Sequence, residues 1–414
     1  MKQQSLVPKL PIPPSLVGAE IGTFTEYTVT QRMPGIARRV IAENNFPANI
    51  NANLEKLASE LPCGSVPPLL DDTGVDFAAW DGYLAAYKGQ RWVDVPWFFA
   101  ETYFYRLILQ ITNYFLPEEW QGLDPFALQK RQGLESSLDS TVTLCGQVSK
   151  WLEASQQQDQ SAEEALMALL YFALWGNRAD LSLWSAFEGD RSRFDIQSQQ
   201  AHILVDDAPK VTEMLTGNKP GCIDFVADNA GFELICDLCF VDFVLSSGVT
   251  SQVQLHLKSH PTFVSDAMVK DVHDTVKFLA SVSAQEVTSF AKRLQEHITL
   301  GRLVLSDDYF WTSPLAFWEI PDSLRTEFSK SSLIVIKGDA NYRRLLGDRH
   351  WNFTTNLADI VSYLPTPVLA LRTLKSELAV GIKPQVLEKV ANSDSDWLTN
   401  GQWGLIQLVG EGST

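Results

Sequence analysis

Six short β-branched runs in the second half of the chain, each separated from the next by a helical pattern, limit the fold more than any other feature. They are "AHILVDD" (201–207), "CIDFVADN" (222–229), "SQVQLHLK" (251–258), "GRLVLSDD" (301–308), "SSLIVIKGD" (331–339) and "TPVLALRT" (366–373). Strands separated by helices do not pair as tight hairpins, so the alternation predicts a mostly parallel, Rossmann-like α/β sheet with helices on its faces. The first half reads differently. Segments such as "TVTQRMPGIARRVIAENN", "INANLEKLASEL", "PWFFAETYFYRLILQITNYF" and "SAEEALMALLYFALWGN" space their apolar residues near 3.6 and contain few β-branched runs. The expected organisation is a largely helical N-terminal region over 1–195 joined to an α/β domain over 196–414.

All six runs end in polar or charged residues. In open α/β sheets ligands bind beyond the carboxyl ends of the strands, so one rim is expected to gather Asp206, Asp207, Asp228, Asn229, Lys258, Asp307, Asp308, Lys337, Asp339, Arg372 and, just past its strand, Lys375. A rim with several carboxylates and several cations suits a divalent metal beside an anionic substrate.

Composition narrows the partners. The net charge of −17 argues against a surface that embraces nucleic acid or an anionic membrane, since both are negative. Five cysteines lack the density of a disulfide framework, which fits a reducing compartment, by default the cytoplasm. The longest apolar run, "ALMALLYFALW", is shorter than the roughly 18 residues a spanning helix needs. The proline-rich start, "MKQQSLVPKLPIPPSL", lacks the apolar stretch of a signal peptide.

Within the rim, "DNAGFE" offers Asp228 and Asn229 as hard oxygen donors for Mg²⁺ or Mn²⁺. Neighbouring strand residues point to opposite faces, so both reach one ion only if the chain turns there, and Gly231 permits that turn. Glu233 follows in the first helical turn, where the helix dipole favours an anion. An Asn N-cap with acidic decoration reads equally well from this string alone. Beyond the next strand, Ser265 and Asp266 form either a capping pair or a third ligand. His256, His260 and His273 raise a zinc alternative without tight ligand spacing. The passage "IKGDANYRRLLGDRHW" offers a loop for a phosphate or a sugar hydroxyl, but has neither a Walker lysine nor a GxGxxG pattern. Lys375 is either a point charge for a phosphoryl oxygen or a solvated lysine. Cys236 and Cys239, although spaced C-x-x-C, read as core.

Taken together and in order, the strings "FTEYTVTQRMPGIARRVI", "PWFFAETYFYR", "LWGNRADLSL", "DNAGFELICDL", "HLKSHPTFVSD", "KGDANYRRLLGDRHW" and "RTLK" resemble the DUF89 family of damage-control metal-dependent phosphatases, in its RTxK-motif subfamily. The resemblance implies an α/β domain with a helical N-terminal region. It implies one divalent ion, Mn²⁺ favoured over Co²⁺, Ni²⁺ or Mg²⁺, held by Asp228, Asn229 and Asp266. These residues and Lys375 form the implied catalytic set. Substrate contacts are implied for Glu233, for the loop Gly338, Asp339, Ala340, Asn341 and Tyr342, and for Lys375. Ala340 stands where the family usually has Leu. The implied reaction is hydrolysis of small phosphorylated metabolites such as sugar phosphates. The alternative is S-adenosylmethionine-dependent protein carboxyl methyl transfer, although "ILVDDAPKVTEM" lacks the Gly-rich loop that such a cofactor site needs after its first strand.

Overall fold

The structure, a computed structural model, describes residues 6–70, 73–156, 161–176, 200–217 and 221–410. Its centre is a seven-stranded sheet in the order β1-β7-β6-β5-β2-β3-β4, with β1 at Ile203–Asp206, β2 at Cys222–Val226, β3 at Gln252–Lys258, β4 at Leu303–Asp308, β5 at Leu333–Lys337, β6 at Val368–Thr373 and β7 at Gly404–Val409. The five strands β2 to β6 are mutually parallel. The six runs read from sequence are all strands.

Strand direction corrects one expectation. β7 pairs antiparallel to β6 and parallel to β1, so β1 runs against the central five. Asp206 and Asp207 therefore lie at the far rim, away from the ends of β2 to β6. There Asp206 accepts from Ala208 N at 3.0 Å and Asp207 from Leu408 N at 3.0 Å. β7 itself, "GLIQLV", is a strand that the reading of six runs omitted.

Alternation within the strands divides the apolar residues between two cores. Val226, Ile334, Ile336, Val368 and Ala370 face one core, which also holds the N-terminal helices. Ile223, Phe225, Leu333, Val335, Leu369 and Leu371 face the other. That second core takes in Leu144, Val148, Leu166, Leu170 and Trp175 from the helices Leu138–Gln156 and Ser161–Trp175, so these helices cover a face of the sheet. Buried on both sides, the central strands read as near-continuous apolar runs. The expected boundary near residue 195 lies outside the described residues, as does most of "LWGNRADLSL".

The other face is covered from the N-terminal side by Trp97–Ile111, in which every residue from Trp97 to Leu109 is buried. Before it, Phe24–Tyr27, a π-helical turn at Thr28–Arg32 and Met33–Glu43 follow one another without a break. No described helix is long and apolar enough to cross a membrane.

An ionic clamp ties the helical region to the loop after β3. Asp76 accepts from Arg106 Nε at 2.9 Å and from Trp80 Nε1 at 3.1 Å, and His260 Nε2 lies 3.5 Å away. Burial alone would raise the Asp76 carboxyl, but His260 and Arg106 overcome it and hold it down at about 2. A depressed carboxylate stabilises the fold above its unfolded value of 3.8 and loses that contribution as the pH falls toward 2. The difference corresponds to about 2 kcal/mol. Urea denaturation of Asp76→Asn should show a loss of about that size at pH 6, and the gap to wild type should close between pH 4 and pH 2. A gap that stays constant across that interval would show that the charge of Asp76 is not what the clamp uses.

Candidate active site at the sheet rim

The ends of β2, β3 and β5 converge because the chain turns sharply after each. After β2, Gly231 adopts φ 74 and starts the helix Phe232–Ser246. The loop after β3 folds back over the rim and is pinned by backbone bonds from Ala230 N to Ser265 O at 2.7 Å and from Ala267 N to Asp228 O at 2.8 Å, with an isolated bridge between Asn229 and Asp266. The fold thus unites Asp228 and Asn229 with Asp266, residues 37 or more apart in sequence.

That return loop is strained. Phe263 and Val264 have φ of 45 and 68, a region hostile to bulky and above all to β-branched residues. The Phe263 ring is held between Tyr105 at 5.2 Å and Phe98 at 5.9 Å, both on Trp97–Ile111. Such strain persists only where surrounding packing over-determines it, and it concentrates at functional sites.

The acids at the rim are buried and close. Burial, then the charges of Glu233 and Asp266, raises the Asp228 carboxyl well above the usual carboxylate range. Burial pushes Asp266 up to about 6, against the pull of Lys258. Lys258 Nζ lies 3.3 Å from Asp266 and donates to Asn341 Oδ1 at 2.9 Å, and burial lowers its own pKa. Glu233 behaves in the opposite way. Burial would raise it, but Lys337, at 2.8 Å, and Lys375 hold it below the usual range. Lys337 is also 3.6 Å from Asp237 and donates to the Ala173 carbonyl.

The expected metal donors fit a divalent ion. Two carboxylates and an amide carbonyl are hard oxygen ligands of the kind Mg²⁺ and Mn²⁺ take. Asp266 Oδ2 is buried and faces the Lys258 ammonium at 3.3 Å with no further partner among the described residues. Asn229 donates from Nδ2 to Asp228 Oδ2 at 2.7 Å and to Glu233 Oε2 at 2.8 Å. Its Oδ1 accepts from Ser265 Oγ at 2.5 Å and keeps a second lone pair. No cluster of three or more His, Cys, Asp or Glu side chains suited to a metal occurs among the described residues, and the third donor here is the amide.

The segment after β5 meets Asp228 directly, and it corrects the expected loop: Gly338 is the N-cap of a helix, Asp339–Leu345, so residues 338–342 are its first turn. Gly338 has φ 84, and a Cβ there would overlap the Asp228 carboxylate, so only glycine fits. Other side chains of this turn point inward. Asp339 Oδ1 accepts from Arg372 Nε at 2.9 Å, from Lys375 N at 3.2 Å and from Ser376 Oγ at 3.0 Å. Asn341 donates to the carbonyls of Ala227 and Lys337, and Tyr342 OH to Gln407 Oε1. What this first helical turn offers a ligand is therefore backbone and Ala340, while Asp339 braces the "RTLK" turn. Lys375, half-buried, makes no hydrogen bond or ion pair through its ammonium among the described residues, yet its charge bears on both Asp228 and Glu233.

Several rim expectations fall elsewhere. Asp307 is exposed, and Asp308 caps a short 3-10 turn by accepting from Phe310 N. The three histidines do not gather: His256 pairs with Asp224 inside the sheet, His260 sits by Asp76, and His273 is exposed. All five cysteines are free, and Cys236 and Cys239 are buried in the core. The helix Ala127–Glu135, absent from the sequence reading, brings Lys130 to within 3.0 Å of Asp124 and 2.8 Å of Asp271, and the Asp271 carboxylate also accepts from Met268 N, two residues past Asp266.

Comparison with known proteins gives one consistent picture. The Damage-control phosphatase ARMT1-like domain matches residues 28–390. Damage-control phosphatase ARMT1 of Rattus norvegicus is 31% identical over 437 residues, covering 96% of this chain and 99% of that protein. Its namesakes in Danio rerio and Homo sapiens are 30% and 29% identical, each aligned over 96% of this chain and over 97% and 99% of their own lengths. A crystal structure of a DUF89 family protein from Pyrococcus horikoshii aligns over 92% of this chain and 97% of its own with 13% identity and a TM-score of 0.47, too distant to add to the fold described above.

The Gly338 contact generates a sharp expectation. Mn²⁺ is expected to raise the melting temperature of the wild-type protein, and in Gly338→Ala, where either the 338–342 turn or the Asp228 carboxylate must move, that rise should disappear. Thermal unfolding with and without the ion checks this, and a variant that responds to Mn²⁺ like wild type would show that the Gly338 turn does not shape an ion site at Asp228.

Proposed function

This chain belongs to the damage-control phosphatase ARMT1-like family and is a phosphatase, and from that premise we propose that it hydrolyses small phosphomonoesters, sugar phosphates among them, at the rim formed by β2, β3 and β5. The observation that carries the site assignment is the contrast among the lysines. Lys258 and Lys337 are committed to buried acids and carbonyls, whereas the Lys375 ammonium has no partner among the described residues. A half-buried free cation beside crowded carboxylates suits an anion that arrives with a metal.

Asp228, Asn229 and Asp266 would hold one divalent ion, Mn²⁺ favoured. When bound, such an ion supplies Lewis acidity to the phosphoryl group and acidifies a water for attack. The remaining work falls to the protein. Glu233, fixed by Lys337, keeps the Asn229 amide turned so that its carbonyl stays available. Lys375 neutralises charge on the phosphoryl oxygens as the transition state develops. Gly338 lets its helical turn approach the reacting group, and the backbone of that turn with Ala340, together with Glu233, lines the leaving-group side. Asp339 holds the "RTLK" turn through Arg372 and Ser376, so it sets where Lys375 stands. Free cysteines and an acidic surface fit a cytoplasmic enzyme with a small phosphorylated metabolite as its partner.

Methyl transfer gains no support, since the chain passes from β1 into the helix Ala208–Gly217 without a glycine loop. Phosphate release from a panel of sugar phosphates by metal-stripped protein, with each divalent ion restored in turn, tests the reading. Hydrolysis should vanish on chelation and return with Mn²⁺ or a similar ion. Calorimetric binding of S-adenosylmethionine without metal-dependent release of phosphate would overturn it.

A second measurement isolates Lys375. Lys375→Ala should lower kcat/KM by roughly 10², about 2.7 kcal/mol, because the ammonium gains most as charge shifts in the transition state. Lys375→Arg should restore little, since a planar fork is not a compact point charge. Metal titrations of both variants should match wild type. Wild-type rates in both would remove Lys375 from the site.

A further inference from the structure

The helical wall facing the rim carries a charged pair that the chemistry above leaves unused. It originates in "FTEYTVTQRM", whose residues Thr28–Arg32 form a π-helical turn. Such turns are rare and concentrate at functional positions. The segment is anchored at its N-terminal end, and its Val29 and Met33 are buried in the core. Thr25 donates from N and Oγ to Glu377 Oε2 at 3.3 and 3.4 Å, two residues past Lys375. Phe24 packs on Trp97 at 6.2 Å, and the Trp97 ring carries the Arg343 guanidinium at 3.5 Å, next in sequence to Tyr342 of the helical turn after β5.

From this frame Arg32 projects with its side chain 48% exposed, and its Nη1 stands 3.9 Å from Oε1 of Glu101, whose side chain is only 3% exposed. That separation is too long for a hydrogen bond. The other carboxylate oxygen of Glu101 is taken by Arg343 at 2.5 Å, while Oε1 receives no hydrogen bond from the described residues. One helical turn further on, Tyr105 packs against Phe263 in the strained loop that leads to Asp266. The gap between Arg32 and Glu101 therefore lies on the wall between the "RTLK" turn and the Asp266 loop.

We propose that Arg32 and Glu101 form a hydroxyl-binding subsite for the polyol part of the substrate, a specificity element contributed by the helical region. An oxygen about 2.8 Å from each atom fits across the gap. An alcohol there donates its proton to Glu101 and accepts from Arg32, satisfying both. A phosphate or carboxylate can only accept, so Glu101 repels it. An aryl or alkyl leaving group without hydroxyls makes neither bond. The pair thus favours polyhydroxylated leaving groups over other phosphomonoesters, and this rests on the phosphatase reading above.

The test compares kcat/KM for a hexose phosphate and for p-nitrophenyl phosphate in wild type, Arg32→Met and Arg32→Lys. In Arg32→Met the ratio of the two values should fall at least tenfold in disfavour of the sugar, chiefly through KM, and Arg32→Lys should restore part of it. Arg32 is half-exposed, so melting temperatures should stay near wild type. Equal loss on both substrates, or an unchanged ratio, overturns the subsite. Binding of a non-hydrolysable hexose phosphonate, measured by calorimetry, reads the subsite without the chemistry. It should weaken at least tenfold in Arg32→Met, and equal binding by variant and wild type overturns the subsite whatever the rates. Wild-type protein that binds the phosphonate but hydrolyses neither ester would count against the phosphatase chemistry alone, and wild-type protein that binds nothing overturns both.

Discussion

The crowding of Asp228, Glu233 and Asp266 at the end of the sheet is the constraint around which the rim is built. Three buried carboxylates with like charge cannot all stay ionised without cations close by. Lys337 answers for Glu233 and Lys258 for Asp266, and each lysine is in turn fixed by acceptors that hold it in place: Ala173 O for one, Asn341 Oδ1 for the other. Asp228 is left with an amide, the Nδ2 of Asn229, as its short-range donor. Burial, then the charges of Glu233 and Asp266, raise its proton affinity. On the proposed reading, a cation between Asp228 and Asp266 would supply what the protein does not, and the same crowding that raises the Asp228 carboxyl suits these acids to a divalent ion.

Much of this arrangement was legible in the sequence because it follows from period and punctuation. The six runs are strands, and "DNAGFE" does turn at Gly231. Strand direction was not legible. "AHILVDD" has the same pattern as its neighbours, and only pairing to β7 reveals that it runs the other way, carrying Asp206 and Asp207 to the opposite rim. The helix Ala127–Glu135 was missed because "ALQKRQGLE" is polar on most of its surface and buries little beyond Lys130. Motif reading placed residues 338–342 at the ligand, but could not tell side chain from backbone. Asp339, Asn341 and Tyr342 spend their polar groups on Arg372, Lys258 and Gln407.

What sequence could least reveal is the dependence of the rim on the helical region. The chain holds Phe263 and Val264 in the left-handed region for want of a glycine, and this costs free energy at each position. The Phe263 ring is wedged between Phe98 and Tyr105, on a helix whose neighbouring residues Trp97 and Glu101 grip Arg343 from the same side. The contact between Glu101 and Arg343 spans 242 residues of sequence. Asp266 follows Val264 by two positions, so aromatic packing from a helix more than 150 residues earlier bears on its approach to Asp228. The α/β sheet supplies the ends of the strands and the backbone bonds that pin the Asp266 loop to Asp228, and aromatic packing from the helical region holds the same loop from outside. The candidate site therefore depends on both regions together, and substitutions in the aromatic wall reach the Asp228 and Asp266 pair without touching it.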